Sequence, residues 1–267
     1  MHKRAPERAE TNDDLSTWYQ TADHLSLMIT ETLQKTPRKS KIERLIESKA
    51  PEEKGFDEYR GEIQRHYDGP AGAFLVAGSF ISGHAPLAKR LFRPGAFDLA
   101  GAKRILDAGC GAGQFTEIVL ESCDPDAAIT CFDLSLEMLR RGRKKLESDR
   151  PMPAAADITR LPYRDGSFDC VICGWVLEHL PDPQLGLREI SRVIEPGGRL
   201  LILTTETTFF GAWVSRFYKC RTYGRDELRA ACETVGLHWT REFWWTRFHR
   251  LLKLGGILVA AEKNGLG

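Results

Sequence analysis

The chain has 267 residues, 42% of them hydrophobic and 28% charged, with a formal net charge of +1. That is enough for one large globular domain or a domain with an extension, and the composition is ordinary for a folded protein. A net charge so near zero gives no whole-molecule field to attract nucleic acid or an anionic membrane.

Residues 1–12 read as disordered. From Asp13 onward Leu15, Trp18, Ala22, Leu25 and Ile29 recur at helical spacing. The basic linker KTPRKSK leads to a short helix carrying Ile42, Leu45 and Ile46, and PEEKG then breaks the chain. Phe56, Tyr59, Ile63 and Tyr67 mark an amphipathic helix ended by Gly69-Pro70. Residues 71–92 are expected to be helical with a break near Gly83. Their apolar part, AGAFLVAGSFISG, is too short and too rich in Gly and Ser to span a bilayer. Residues 1–70 therefore read as a helical extension or lid, and 71–267 as the main domain. No internal repeat is found.

The pattern changes at Lys103. The apolar runs RILDAG, AITCFDL, MPAAAD, FDCVICG and RLLILTT alternate with helical patterns starting near Gly111, Ser135, Asp182 and Arg225. Asp182-Pro183 is an N-cap followed by proline at the first helical position. The alternation predicts an α/β fold, a doubly wound and mostly parallel sheet with helices on both faces. LHWTREFWWTRF, with Leu237, Trp239, Phe243 and Trp245 alternating, and GGILVAAEK then predict two strands with a short connection, an antiparallel hairpin at one sheet edge. The basic run LRRGRKKL at 139–146 reads as the solvated face of a helix.

Seven cysteines is an odd number, and their spacings are scattered. With the polar start MHKRAPERAETNDD, they point to reduced thiols and a cytoplasmic protein. Cys170 and Cys173 form a C-x-x-C, but on a strand positions i and i+3 face opposite ways, so neither a shared metal nor a disulfide is expected.

The chemistry is expected around ILDAGCGAGQFT, residues 105–116. In an open α/β sheet ligands bind beyond the carboxyl ends of the strands, and glycines after the first strand let backbone approach a ligand. A dinucleotide fingerprint needs glycine at 114, where this chain has Gln114, so a ligand without a pyrophosphate fits better. Asp133, ending the second run, can accept hydrogen bonds from two vicinal ribose hydroxyls, or serve as a helix N-terminal charge before Ser135. Asp157 can accept from an adenine amino group with Ile158 against the ring, or be a surface loop acid.

Residues 103–205 resemble the core of class I S-adenosylmethionine-dependent methyltransferases. They are closest to the group that includes quinone-biosynthesis C-methyltransferases and many small-molecule methyltransferases. The resemblance rests on ILDAGCGAGQFT, CFDLSLEML, AADITRLPYRDGSFDCVICGWVLEHLPDP and LREISRVIEPGGRLLI, in that order. It implies a seven-stranded sheet of order 3-2-1-4-5-7-6 with the last strand antiparallel, and S-adenosyl-L-methionine as cofactor. Asp107, Gly109, Cys110 and Gly111 would face its methionine part, Asp133 the ribose, Leu134 an adenine face, and Asp157 and Ile158 the adenine edge. Cys173 and Gly174 would line the sulfonium. Tyr67, with Asp68, resembles a Tyr-Asp pair on a helix folding over the cofactor; alternatively Tyr67 only completes the apolar stripe.

An activated methyl group needs an aligned nucleophile, and a base only where the acceptor holds its proton. His179 is the candidate base, or a structural residue; His66 and His84 are weaker. Trp175 would line the acceptor pocket or the core. The segment 206–227 is rich in aromatics, among them Phe209, Phe210, Trp213, Phe217 and Tyr218. It predicts either a pocket wall for a lipophilic acceptor, through Phe210 and Trp213, or a helix packing on the sheet. The reaction expected is in-line methyl transfer to a small, lipophilic or aromatic acceptor, with no nucleic acid as partner. The competing readings are an RNA or protein methyltransferase, a non-catalytic cofactor-binding partner subunit, and a nicotinamide dehydrogenase. No RNA-binding module is seen, and CGWV stands where an N-P-P-Y type motif would lie.

Overall fold

The computed structural model describes residues 41, 45, 56–69, 88–252 and 256–265. Its contacts divide the chain into Met1–Arg38 and Lys39–Gly267, and all described residues fall in the second unit. The expected helix from Asp13, the disordered start, the apolar 71–83 stretch and His84 lie outside the described residues, as do Ile42 and Ile46.

The first described helix, α1, is Phe56–Asp68. The sheet follows, with β1 Arg104–Ala108, β2 Ala128–Asp133, β3 Pro151–Ala155, β4 Phe168–Gly174, β5 Ile194–Thr204, β6 Leu237–Phe243 and β7 Ile257–Lys263. Helices α2 (Gln114–Ser122), α3 (Leu136–Lys145), α4 (Pro183–Val193), α5 (Phe209–Tyr218), α6 (Arg225–Thr234) and α7 (Arg247–Leu252) connect them. The sheet order is β3-β2-β1-β4-β5-β7-β6. β1 to β5 pair in parallel, and β7 runs antiparallel to both β5 and β6. This is the order and direction that the resemblance implied, and the antiparallel edge is the one the strand patterns predicted.

Both faces of the sheet are buried, so the central strands are continuous apolar runs rather than alternating ones. Leu106, Val171, Cys173 and Ile202 pack on one side with α4 and α6 residues such as Leu187, Ile190 and Leu228. Ile105, Cys170, Ile172 and Leu201 pack on the other with Phe115, Ile118 and Phe92. Cys170 and Cys173 thus fall on opposite faces, both fully buried. Burial pushes the Cys170 thiol up to about 12 and Cys173 higher still, and both are free thiols.

Helix starts follow local chemistry. Asp182 accepts from the backbone N–H of Gln184 with Pro183 at the first helical position, and Ser135 accepts from Met138. α2 starts at Gln114 rather than near Gly111, because Gly111 and Gly113 take φ of +54° and +81°, which no helix accommodates. β5 begins earlier than the run RLLILTT, at Ile194, with an irregularity against β4. The β6–β7 link is also longer than expected. Strand β6 stops at Phe243, so Trp245 belongs to a connection that contains α7. The basic run lies on α3. Arg140 is solvated there, whereas Arg141 donates to the carbonyls of Tyr67 and Asp68 and Lys145 pairs with Glu117.

Among the described residues no helix is long and apolar enough to cross a membrane. No group of three or more His, Cys, Asp or Glu among them could hold a metal ion.

Candidate functional site

Beyond the carboxyl ends of β1, β2 and β4 lies a cavity of about 270 Å³, near the lower end of ordinary small-ligand pockets, roughly 300–1,000 Å³. Its floor is the glycine loop. At Gly109, φ is +71° and an added Cβ would stand 2.1 Å from Val176 Cγ2. Only glycine meets both conditions, so the loop can press against the β4 turn.

Asp133 ends β2 at the cavity wall. Its two carboxylate oxygens accept from the backbone N–H groups of Gly111 (2.9 Å) and Ser135 (2.8 Å). Each oxygen keeps a second lone pair, so the group still has capacity for two ligand hydroxyls. Burial raises its pKa, and the two N–H groups oppose that shift. The aspartate therefore anchors the start of the following helix, one of the two readings the sequence allowed, while its place in the cavity wall leaves the other open to a ligand.

The remaining expected residues divide. Gly109, Cys110, Gly111, Leu134, Asp157, Ile158, Gly174, Trp175, His179 and Tyr67 all line the cavity. Asp107 does not: it is 1% exposed and accepts from Thr116 Oγ1 at 2.6 Å. Burial lifts its carboxyl to about 7, against the Thr116 hydroxyl. Asp107 thus braces β1 against α2 beneath the loop. Cys173 is likewise absent from the wall and packed in the core, because the strand turns its side chain away and leaves Gly174 at the opening. Phe210 and Trp213 are not in the wall either; they stand 48% and 58% exposed on α5. That helix buries Gly211, Ala212 and Ser215 instead.

Helix α1 closes one side. Arg60 pairs with Asp157 at 2.6 Å, Gln64 Nε2 donates to the Leu134 carbonyl at 3.3 Å, and the Ser135 hydroxyl donates to Asp68. Asp157 is further held by the backbone and hydroxyl of Thr159, and these bonds with Arg60 keep its pKa low despite burial. Tyr67 reaches across to the β4 turn, with its hydroxyl 3.2 Å from His179 Nε2 and the rings edge to face. Desolvation, with Glu178 and Asp133 nearby, pushes its phenol well above the usual value. The side chain of His66 is not described.

Trp175 forms the opposite wall. It holds φ +56°, rare for a bulky residue. Its backbone N–H donates to the Leu203 carbonyl at 2.7 Å, and its ring lies between Phe115 (5.7 Å) and Trp245 (6.4 Å, stacked). Behind it Glu178 is buried and accepts from Thr204 and Thr205 hydroxyls at 2.6 and 2.7 Å; burial raises its carboxyl to about 7 against those bonds.

Arg60, Gln64, Ser135 and Phe115 were not singled out from the sequence. Ser135 was visible only as a helix start. Arg60 and Gln64 sit on the polar side of α1, where helical periodicity marks solvent rather than a ligand wall.

A family model described as a methyltransferase domain matches residues 106–202. Demethylmenaquinone methyltransferase of Staphylococcus aureus is 35% identical over 103 residues, 38% of this chain and 43% of that protein. An uncharacterised 37.1 kDa protein in transposon TN4556 of Streptomyces fradiae is 36% identical over 111 residues, 40% of this chain and 31% of its own. The chain thus spans less than half the length of these relatives. Among solved structures, a chain from the complex of the Haloferax volcanii Trm112 methyltransferase activator with the putative methyltransferase superposes with TM-score 0.63 at 19% identity, covering 77% of this chain and 98% of that one. Magnesium protoporphyrin IX methyltransferase of Synechocystis gives 0.59 at 16%, covering 77% and 97%. At such identities these structures speak for the fold alone. The segment that matches the methyltransferase domain runs from within β1 to within β5 and carries the glycine loop, Asp133, Asp157 and Gly174.

Proposed function

We propose that the chain transfers a methyl group from S-adenosylmethionine to a small, lipophilic or aromatic acceptor held against the Trp175 wall. One observation carries this reading: a single cavity brings together the glycine loop, Asp133 with spare acceptor capacity, and an aromatic wall. The residues fit the cofactor. Gly109 and Gly111 hold the loop at positive φ along the cavity wall, and Gly109 lets it lie against Val176. Asp133 would take the ribose hydroxyls, Leu134 and Ile158 the adenine faces, and Asp157 the adenine edge beside its pairing with Arg60. The bound cofactor supplies an activated methyl on a positively charged sulfur. The protein's own part is to orient and to exclude water, worth at best roughly 7–11 kcal/mol of barrier. Trp175, Phe115 and Ile63 present an apolar surface to the acceptor, and α1 covers the cofactor side. His179 is the base for an acceptor that must lose a proton, oriented by the Tyr67 hydroxyl.

A relative supports a small-molecule acceptor, since it is named for a demethylmenaquinone. Thermal melting with S-adenosylmethionine, S-adenosylhomocysteine and NAD tests the cofactor. Stabilisation by NAD but by neither sulfur nucleotide would overturn the reading. An acceptor screen with detection of S-adenosylhomocysteine then separates catalysis from mere binding.

A further inference from the structure

Helix α5 is built inside out. An ordinary surface helix buries its large apolar residues and shows polar ones. Here the buried face is Gly211, Ala212 and Ser215, and the glycine is required because a Cβ would meet the Glu206 carbonyl oxygen at 1.9 Å. The large residues face outward. Phe210, Trp213 and Phe217 stack in a row at 6.1 and 6.3 Å, and Phe209, Trp213 and Phe217 are 58–61% exposed. Helix α7 buries none of its residues and exposes Phe248, Leu251 and Leu252, Leu251 being 79% exposed.

The two helices leave the same end of the sheet. Thr204, ending β5, pairs with Ile257, starting β7, and Phe243, ending β6, pairs with Leu258. Arg225 links the two connections, bonding Glu206 before α5 and the Gly256 carbonyl after α7. This is also the end at which Gly174 opens into the cavity, and Trp245, next to α7, stacks on Trp175.

The two connections that carry these helices hold charge of one sign. No Asp or Glu occurs from Thr207 to Arg225, nor from Phe243 to Ala261. Of the acids that flank these stretches, Glu206 and Glu242 are paired with Arg225 and Arg229 and Glu227 with Arg221, while Asp226 and Glu262 are exposed. Arg216, Arg247 and Arg250 are exposed and form no ion pair with any described residue. Exposed aromatics and leucines interleaved with uncompensated arginines match a surface that lies in a lipid–water interface, the rings at headgroup depth and the cations on anionic phosphates.

We propose that the α5–α7 face docks the protein on an anionic phospholipid bilayer, with the cavity mouth at the membrane side. The charge pattern, absent from the molecule as a whole, favours lipid over a second copy of the chain, whose matching face would be equally cationic.

The test is sedimentation of the full chain with vesicles of phosphatidylcholine alone and of phosphatidylcholine with phosphatidylglycerol, without cofactor or acceptor. It therefore stands or fails apart from methyl transfer. Binding is expected to the anionic vesicles, weaker to the neutral ones, and falling as salt rises. Arg216→Gln with Arg250→Gln should lower the partition coefficient about thirty-fold, from about 1 kcal/mol per cation near the surface. Phe217→Ser with Leu251→Ser should abolish binding, with melting by circular dichroism confirming the fold of both. No binding to anionic vesicles, or binding that neither double variant alters, overturns the proposal. So does a two-chain mass by light scattering that Phe217→Ser with Leu251→Ser reduces to one, or protection of this face from hydrogen exchange by residues 70–87 of the same chain.

Discussion

Gly109→Ala would put a methyl group 2.1 Å from Val176 Cγ2, on a backbone at φ +71°. Two costs follow. An L-residue in the left-handed region costs roughly 1–2 kcal/mol, and forcing a packed neighbour aside costs about 1–3 kcal/mol. The substitution should therefore destabilise the fold by about 2–5 kcal/mol. Val176 sits on the turn after β4, partly buried against the core, so its displacement also moves the cavity wall. Affinity for S-adenosylhomocysteine should fall by at least about ten-fold. The companion Val176→Ala removes the clashing methyl at a cost of about 1–2 kcal/mol for lost burial. Combined, the two changes should cost less than their sum, by about the clash alone, because only the backbone strain persists. Urea unfolding of the four proteins, with titration calorimetry of S-adenosylhomocysteine, measures this cycle. Strict additivity, or a Gly109→Ala protein as stable as the parent, would refute the close-approach argument.

Asp133→Ala should weaken S-adenosylhomocysteine binding by about a hundred-fold, two charge-assisted hydrogen bonds being worth about 3 kcal/mol or more; calorimetry showing unchanged affinity would remove the ribose role. Glu178→Gln concerns pH. The folded carboxyl sits at about 7 against an ordinary 4.5, so its stabilising contribution is complete below 4.5 and is lost as pH rises through about 7. Unfolding free energy should therefore fall over that window, and the Gln variant should flatten the fall; identical profiles in urea melts would contradict the burial argument. Arg60→Ala should cost under about 1 kcal/mol in stability, as a partly exposed pair, yet loosen α1. Hydrogen exchange should then rise across 56–68, and unchanged protection would show that Gln64, Asp68 and Arg141 hold the helix unaided. In native protein, iodoacetamide should label Cys123 while Cys170 and Cys173 stay unmodified by mass spectrometry, since both are buried with raised pKa values.

The parallel core was readable because each central strand is a short run of β-branched or apolar residues bounded by turn residues, with capped helices between. Asp133 was readable for a related reason, as an acid closing an apolar run just before a Ser cap. Sequence was a poorer guide to side-chain direction at strand ends. Cys173 and Gly174 are adjacent, but only one can face the cavity, and period-two alternation does not say which. The resemblance set Asp107 against the cofactor, yet its side chain lies under the loop on Thr116. The α5 aromatics misled for a different reason. Aromatic content signals burial or a ligand pocket, and only the small residues between them, Gly211, Ala212 and Ser215, reveal which side packs. Arg60 and Gln64 became site residues through tertiary packing of α1 on α3, which no local pattern encodes.

The insertion of β7 between β5 and β6 has a consequence for how the sheet is made. During synthesis β6 emerges before β7, its one partner among the described strands, and β5 presents an open edge until Ile257–Lys263 has been added. An open edge beside apolar residues is a template for pairing with another chain. At a synthesis rate of about 5–20 residues per second, that edge stays unpaired for seconds after the parallel half can form. The antiparallel strand thus acts as a late closing step, and slowing its arrival should favour aggregation without altering the stability of the finished fold.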